Sequence, residues 1–164
     1  MRMIFNIKEM DQKIILLADD DMDDTEMFCE ALADIDESII CHCAVNGSDA
    51  LRILDGLKEL PSVIFLDLNM PIMNGWDCLM HLKSDSRYKD IHVIMISTSS
   101  HKNDLETASK LGAVCYFVKP NSFSDLKHVL RSITSNIDNG LKDVVVTLQE
   151  NGFKHVFNCD DNNL

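Results

Sequence analysis

Apolar positions concentrate in five short runs along the chain, Ile14–Ala18, Ile39–Val45, Val63–Leu66, Ile91–Ile96 and Val114–Val118, each rich in Ile, Val or Leu. Runs this short, with little polar alternation, read as strands buried on both faces of a sheet. The intervening stretches carry helical spacing instead. Asp23–Asp36 places Met27, Ala31 and Leu32 on one side, Ser48–Leu60 places Leu51, Leu54 and Leu57, and Trp76–Lys83 places Leu79 and Leu82. Further on, Asn103–Leu111 carries Leu105 and Ala108, and Ser124–Asn136 carries Leu126, Val129, Leu130 and Ile133. The order is βα repeated five times. Single helices between strands imply right-handed crossovers and a parallel sheet covered on both sides, a doubly wound α/β fold.

Local signals agree with this division. Asn46-Gly47 marks a turn with Ser48 as a helix cap, Pro61 ends the second helix, and Asn74-Gly75 forms a loop before the third. Gly112 stands where a helix would close, and Ser122 or Ser124 can cap the last one. Residues 1–12 read as an N-terminal extension, 13–138 as the domain, and 139–164 as a C-terminal tail with no separate output domain. The tail has a Val144–Leu148 apolar run and an acidic end, predicting a final helix or strand packed on the domain before a frayed terminus.

Composition narrows the function. Hydrophobic residues make up 46% and charged residues 26% of 164, as expected for one globular domain with a real core. The net charge of -12 disfavours nucleic acid and anionic membrane surfaces. No apolar run is long enough to span a bilayer, and the N-terminus lacks a signal-peptide core, so a cytoplasmic location without membrane insertion is expected. Six scattered cysteines read as reduced, buried thiols. Of these, Cys41-His42-Cys43 alone resembles a metal pair; on a strand Cys41 and Cys43 share a face, but no second ligand pair follows at zinc-site spacing.

In a doubly wound sheet, functional groups gather beyond the carboxyl ends of the strands. The first run ends in Asp19-Asp20-Asp21, the third in Asp67, the fourth in Ser97-Thr98 and the fifth in Lys119-Pro120. Asp19, Asp20 and Asp67 would crowd negative charge, which a cation relieves, and oxygen-only donors favour Mg2+. A carboxylate beside Mg2+ and a lysine suits nucleophilic attack on phosphorus, with Lys119 and the Ser97 hydroxyl neutralising phosphoryl oxygens. Each residue alone has an ordinary structural explanation: a solvated acidic loop, a cap, a surface lysine. Their joint placement at four strand ends is what carries the functional reading.

At these residues the chain resembles the receiver domain of bacterial response regulators, over about Lys13 to Asn136, through ILLADDD, VIFLDLNMPIMNGWD, VIMISTSS and GAVCYFVKP. Ser97 follows Asp67 by thirty positions and Lys119 follows Ser97 by twenty-two, which also matches. The resemblance implies a flavodoxin-like five-stranded sheet of strand order 2-1-3-4-5, with Asp67 as phospho-acceptor. It further implies Mg2+ held by Asp19, Asp20, Asp67 and the Asn69 backbone carbonyl, with Lys119 on the phosphate and Ser97, or its neighbour Thr98, as switch hydroxyl. Tyr116 matches a switch aromatic whose ring moves inward, and Lys119-Pro120 matches a peptide bond that is typically cis. The acidic run, the tail and the missing output domain are similar to single-domain regulators of the chemotaxis type and, more narrowly, of the phytochrome-partner type. Implied partners are a histidine kinase or phosphotransfer protein, a downstream protein target, and a second copy in a homodimer.

Two other functions fit less well. A haloacid-dehalogenase-type phosphatase would need a second acid two residues after the nucleophile, where this chain has Asn69. A degenerate receiver that only binds partners would have lost acceptor or metal acids, and all are present. The expected protein is therefore a signalling phospho-acceptor, catalysing only its own phosphorylation and dephosphorylation.

Overall fold

The computed structural model describes residues 12–99 and 101–159. The proposed N-terminal extension and the acidic terminus thus lie almost wholly outside the described residues. The five expected βα units are present: β1 Ile14–Ala18, α1 Met22–Ile35, β2 Ile40–Ala44, α2 Gly47–Gly56, β3 Val63–Asp67, α3 Gly75–Ser84, β4 His92–Ser97, α4 Lys102–Leu111, β5 Cys115–Val118 and α5 Phe123–Thr134. The tail then adds α6 Leu141–Glu150 and a short strand, β6 Val156–Asn158.

The sheet runs β2-β1-β3-β4-β5-β6, with the first five strands parallel and β6 antiparallel to β5. Its strand order thus follows the expected 2-1-3-4-5, and the tail extends it by one strand. Alternation along each strand divides the core. Ile15, Leu17, Phe65, Ile94 and Phe117 pack under α1, α5 and α6, while Leu16, Ile64, Val93, Met95 and Tyr116 pack under α2, α3 and α4.

Local chemistry sets the element ends. Asn46, not the expected Ser48, caps α2 by accepting from the Asp49 amide at 2.9 Å, because its side chain stands three residues before that donor. The same helix stops at Gly56, short of the expected Leu60, where the Leu57 amide closes onto the Leu54 carbonyl. Asn74 and Ser122 cap α3 and α5, and Gly112 ends α4 with φ 92, a left-handed conformation that suits glycine. A Cβ at Gly75 would overlap the Asp67 carbonyl oxygen, so only glycine lets α3 start against the end of β3.

Two expectations about buried segments need correction. As the edge strand, β2 is half-exposed rather than buried on both faces, so Cys29 and Cys41 are half-buried and Cys43 is exposed. The Lys119–Pro120 bond is trans, since no peptide among the described residues is cis. Pro120 lies just past the bond from the Lys119 amide to the Ser97 carbonyl, where the trans form, favoured by about 0.5–1 kcal/mol, interrupts no ladder.

The tail is part of the core rather than an appendage. Leu141, Val144, Val145, Leu148 and Val156 are buried with the residues of α1 and α5. The Val118 amide donates to the His155 carbonyl at 2.9 Å, and Gln149 Nε2 to the Val156 carbonyl at 2.7 Å. Truncating a core leucine leaves a cavity as well as losing its transfer energy. Leu148→Ala should therefore lower unfolding stability in urea by about 2–5 kcal/mol; a loss within about 0.5 kcal/mol, the range of surface substitutions, would show that the tail only rests on the domain.

Candidate functional site

The strand order reverses direction between β1 and β3, so the crevice beyond their carboxyl ends is where a doubly wound sheet collects ligands. The sequence places Asp19 directly after β1 and Asp67 as the last residue of β3, and both side chains are buried there. Asp20 is exposed beside them. One carboxylate oxygen from each of Asp19, Asp20 and Asp67 lies within 4.8 Å of the others. The loop between β1 and α1 is fixed by its own acids: the Asp21 amide donates to Asp19 Oδ1 at 2.9 Å, and Asp21 caps α1 by accepting from the Asp24 amide at 3.1 Å.

Lys119, just beyond β5, reaches into this cluster. Its ammonium donates to Asp24 Oδ2 at 2.7 Å, Asp19 Oδ2 at 2.9 Å and Asp67 Oδ2 at 3.3 Å. Burial disfavours the charged ammonium, but the ion pairs with Asp24 and Asp19 outweigh it and hold the Lys119 pKa above its ordinary value. Burial pushes the Asp67 carboxyl up to about 6, with the neighbouring Asp19 charge adding to the rise and Lys119 opposing it. Asp67 is thus a buried carboxyl whose pKa is raised toward the neutral range.

Ser97 ends β4 in register with Val118, fully buried, and its hydroxyl accepts from the Ser99 amide at 3.0 Å. Thr98, the alternative hydroxyl, is exposed. Tyr116 is fully buried in β5 and its hydroxyl donates to the Ser99 carbonyl at 2.7 Å, so the ring already lies inward. Asn69 is exposed in the loop after β3, two residues beyond Asp67. Every sequence-predicted site residue therefore lies at or beside this edge, and Asp19, Asp20, Asp67 and Lys119 converge directly.

Two features escaped the sequence reading. Asp24 was one acid in a run that reads as a solvated helix start, yet its carboxylate makes the shortest contact with Lys119; the signal was its position one turn into a helix capped by Asp21, which turns it back toward the sheet. Ile72, in the loop after β3, has φ 68 and is 87% exposed. A β-branched residue in the left-handed region is strained, and such strain concentrates at functional loops. With Met22, 73% exposed after the first acidic loop, it sets an apolar group on each of the two loops that flank the acids.

The raised Asp67 pKa makes its ionised form unfavourable in the folded protein. Its folded value of about 6 exceeds the ordinary 3.8, so the associated stability is fully present below about 3.8 and is lost as pH rises through about 6. Asp67→Asn should therefore stabilise the metal-free protein by about 1–3 kcal/mol at pH 7.5, with the difference shrinking toward zero near pH 4. Urea unfolding of both proteins across that range checks it, and a pH-independent difference would contradict the raised value.

Comparisons with known proteins meet this geometry. The model of the response regulator receiver domain family matches residues 15–131. The chain is 39% identical to the chemotaxis protein CheY1 of Helicobacter pylori over 95 residues, covering 58% of this chain and 76% of that protein. It is 30% identical to the response regulator Rcp1 of Synechocystis over 130 residues, covering 75% of this chain and 87% of that one. Among solved structures, the phosphorylated cyanobacterial phytochrome response regulator RcpA superposes with a TM-score of 0.71 at 28% identity, covering 78% of this chain and 95% of that one. The Mn2+-bound form of Rcp1 gives a TM-score of 0.68 at 26% identity, over 78% and 96%. With an acid cluster at the switch point, a lysine from β5 and a family match over most of its length, this chain belongs to the response regulator receiver domain family.

Proposed function

We propose that Asp67 accepts a phosphoryl group from a phosphohistidine of a histidine kinase or phosphotransfer protein, and that the phosphorylated form signals by binding another protein. The observation that carries this reading is the Lys119 ammonium held 3.3 Å from the buried Asp67 carboxylate inside a triad of acids. The donor set is all oxygen and carries excess negative charge, which fits Mg2+ better than a softer ion. Asp19, Asp20, Asp67 and the Asn69 backbone carbonyl would hold it. When bound, Mg2+ neutralises charge on the phosphoryl oxygens.

An ionised Asp67 oxygen attacks phosphorus, the P–N bond to the donor imidazole breaks, and the ring nitrogen leaves with the electron pair and takes up a proton. No base is needed, because above about pH 6 the nucleophile is already deprotonated. Lys119 shifts its donors from Asp24 and Asp19 toward the incoming phosphoryl oxygens, a movement of a flexible side chain rather than of backbone. Ser97, buried at the end of β4, is the better-placed hydroxyl for a further oxygen, while Thr98 is exposed. Movement of Ser97 acts on Ser99, whose amide it holds, and so on the carbonyl that holds Tyr116. This is a packed two-state chain of the kind that turns a local charge into a changed surface.

Met22 and Ile72, exposed beside the acids, supply apolar contacts for the docking donor. No helix among the described residues is long and apolar enough to cross a membrane. A second copy would meet α4, α5 and the tail rather than a free β5 edge, because β6 pairs with that edge. The chain needs no catalytic activity beyond forming and losing its own acyl phosphate.

Incubation with a labelled histidine kinase, or with acetyl phosphate and Mg2+, should give a hydroxylamine-sensitive label on the wild type and none on Asp67→Asn. Equal labelling of both proteins, or none of either, would sink the acceptor assignment. Ser97→Ala should slow label formation by roughly 10²-fold, as loss of one preorganised donor does, while Thr98→Ala leaves the rate within about twofold; the reverse ranking would make Thr98 the phosphate hydroxyl.

A further inference from the structure

A second cluster of ligand-competent side chains lies away from the acids, on the outer edge of the sheet. Cys41 and Cys43 alternate onto the same face of the edge strand β2, and Cys29 comes down on them from α1, two turns beyond the start of that helix. Cys29 Sγ lies 3.3 Å from Cys43 Sγ, Cys41 Sγ lies 3.9 Å from Cys43 Sγ, and all three sulfurs fall within 4.8 Å of one another. All three are free thiols, and the exposed Cys43 opens the cluster to solvent.

We infer that Cys29, Cys41 and Cys43 form a three-thiolate site for a soft, thiophilic cation of the zinc or copper(I) class. With zinc–sulfur bonds near 2.3 Å, two thiolates on one tetrahedral ion stand about 3.8 Å apart. Cys41 and Cys43, 3.9 Å apart, already meet that spacing, and Cys29, 3.3 Å from Cys43, would have to draw back from it by about 0.5 Å. Simple core packing does not account for it, since the strand leaves Cys43 exposed and Cys29 and Cys41 half-buried. A disulfide would use two of the sulfurs and leave the third without a role, whereas one ion takes all three and leaves its remaining position to water on the open side. Thiolate donors reject the hard cation that suits the carboxylates of the acid cluster, so the two sites select different ions.

The sulfurs span α1 and β2, elements separated by the turn around Asp36–Ser38. Bound metal would tie α1, whose first turns carry Asp21 and Asp24, to the sheet edge.

The test uses the reduced full chain and cobalt(II) as a spectroscopic stand-in for zinc. Thiolates bound to cobalt give an intense near-ultraviolet charge-transfer absorption that carboxylate ligands do not, so cobalt taken up at the acids stays silent in this readout. One equivalent should develop the absorption, zinc should displace it, and Cys29→Ser, Cys41→Ser and Cys43→Ser should each weaken or abolish it while retaining the label at Asp67. A parallel titration with copper(I) against a chromophoric chelator separates the two cations: copper uptake without the cobalt absorption assigns a copper site, and both together a zinc site. Reduced protein with freely titrating thiols and no uptake of either ion overturns the inference, as does absorption unchanged in the Cys29→Ser protein.

Discussion

The Lys119 ammonium is the interaction on which the rest of this edge depends. It bonds to carboxylates that arrive from three places in the chain, the end of β1, the first turn of α1 and the end of β3. Like charges within 4.8 Å of one another repel by roughly 3 kcal/mol or more per pair at an effective dielectric near 20, so the crevice could not close around unpaired acids. One ammonium offsets part of this and no more: Asp67 still sits near pH 6 because burial and Asp19 oppose its charge. The remaining negative potential is what makes the site receptive to a divalent cation and, once such charge is neutralised, to a phosphoryl group.

Bringing those groups together is a demand on the whole fold. Asp67 ends β3 while Asp19 and Lys119 directly follow β1 and β5, so their convergence requires parallel strands ending at one level. Gly75 serves the same end, since any side chain there would strike the Asp67 carbonyl and push α3 off the end of β3. The stability needed to hold an unfavourable carboxylate comes from the apolar layers on both faces of the sheet, where fully buried Ile, Leu, Val and Phe side chains each contribute about 1.5–3 kcal/mol of transfer energy.

Legibility in the sequence tracked how local each signal was. The five parallel strands stood out because a strand buried on two faces must be almost continuously apolar, and Asp19, Asp67, Ser97 and Lys119 stood out because each lies at or immediately after the end of such a run. Asp24 did not, because nothing in a run of five acids tells which one turns inward; that depends on Asp21 capping α1 and setting the helix phase. Asn46-Gly47 reads as a turn with Ser48 as the cap for a similar reason: Asn is at home in a turn and at a cap alike, and only the phase of α2 shows that Asn46 caps it. The cysteine cluster was out of reach for sequence spacing alone, since Cys29 meets Cys43 only through the packing of a helix on an edge strand.

The tail shows most clearly where pattern reading ends. A three-residue strand such as Val156–Asn158 is too short to display a period, and it exists because β5 would otherwise expose a row of unpaired backbone groups. Pairing with β6 satisfies that edge, placing Phe157 opposite Tyr116 and carrying Cys159 across to bond with Val114 and Ser109. β5 therefore has Lys119 at its acceptor end, Tyr116 in the chain of contacts from Ser97, and the tail along its outer side. Under the proposed switch, a displacement passed from Ser97 to Tyr116 would meet β6, paired along the outer side of β5, and through it the core that the tail shares with α5.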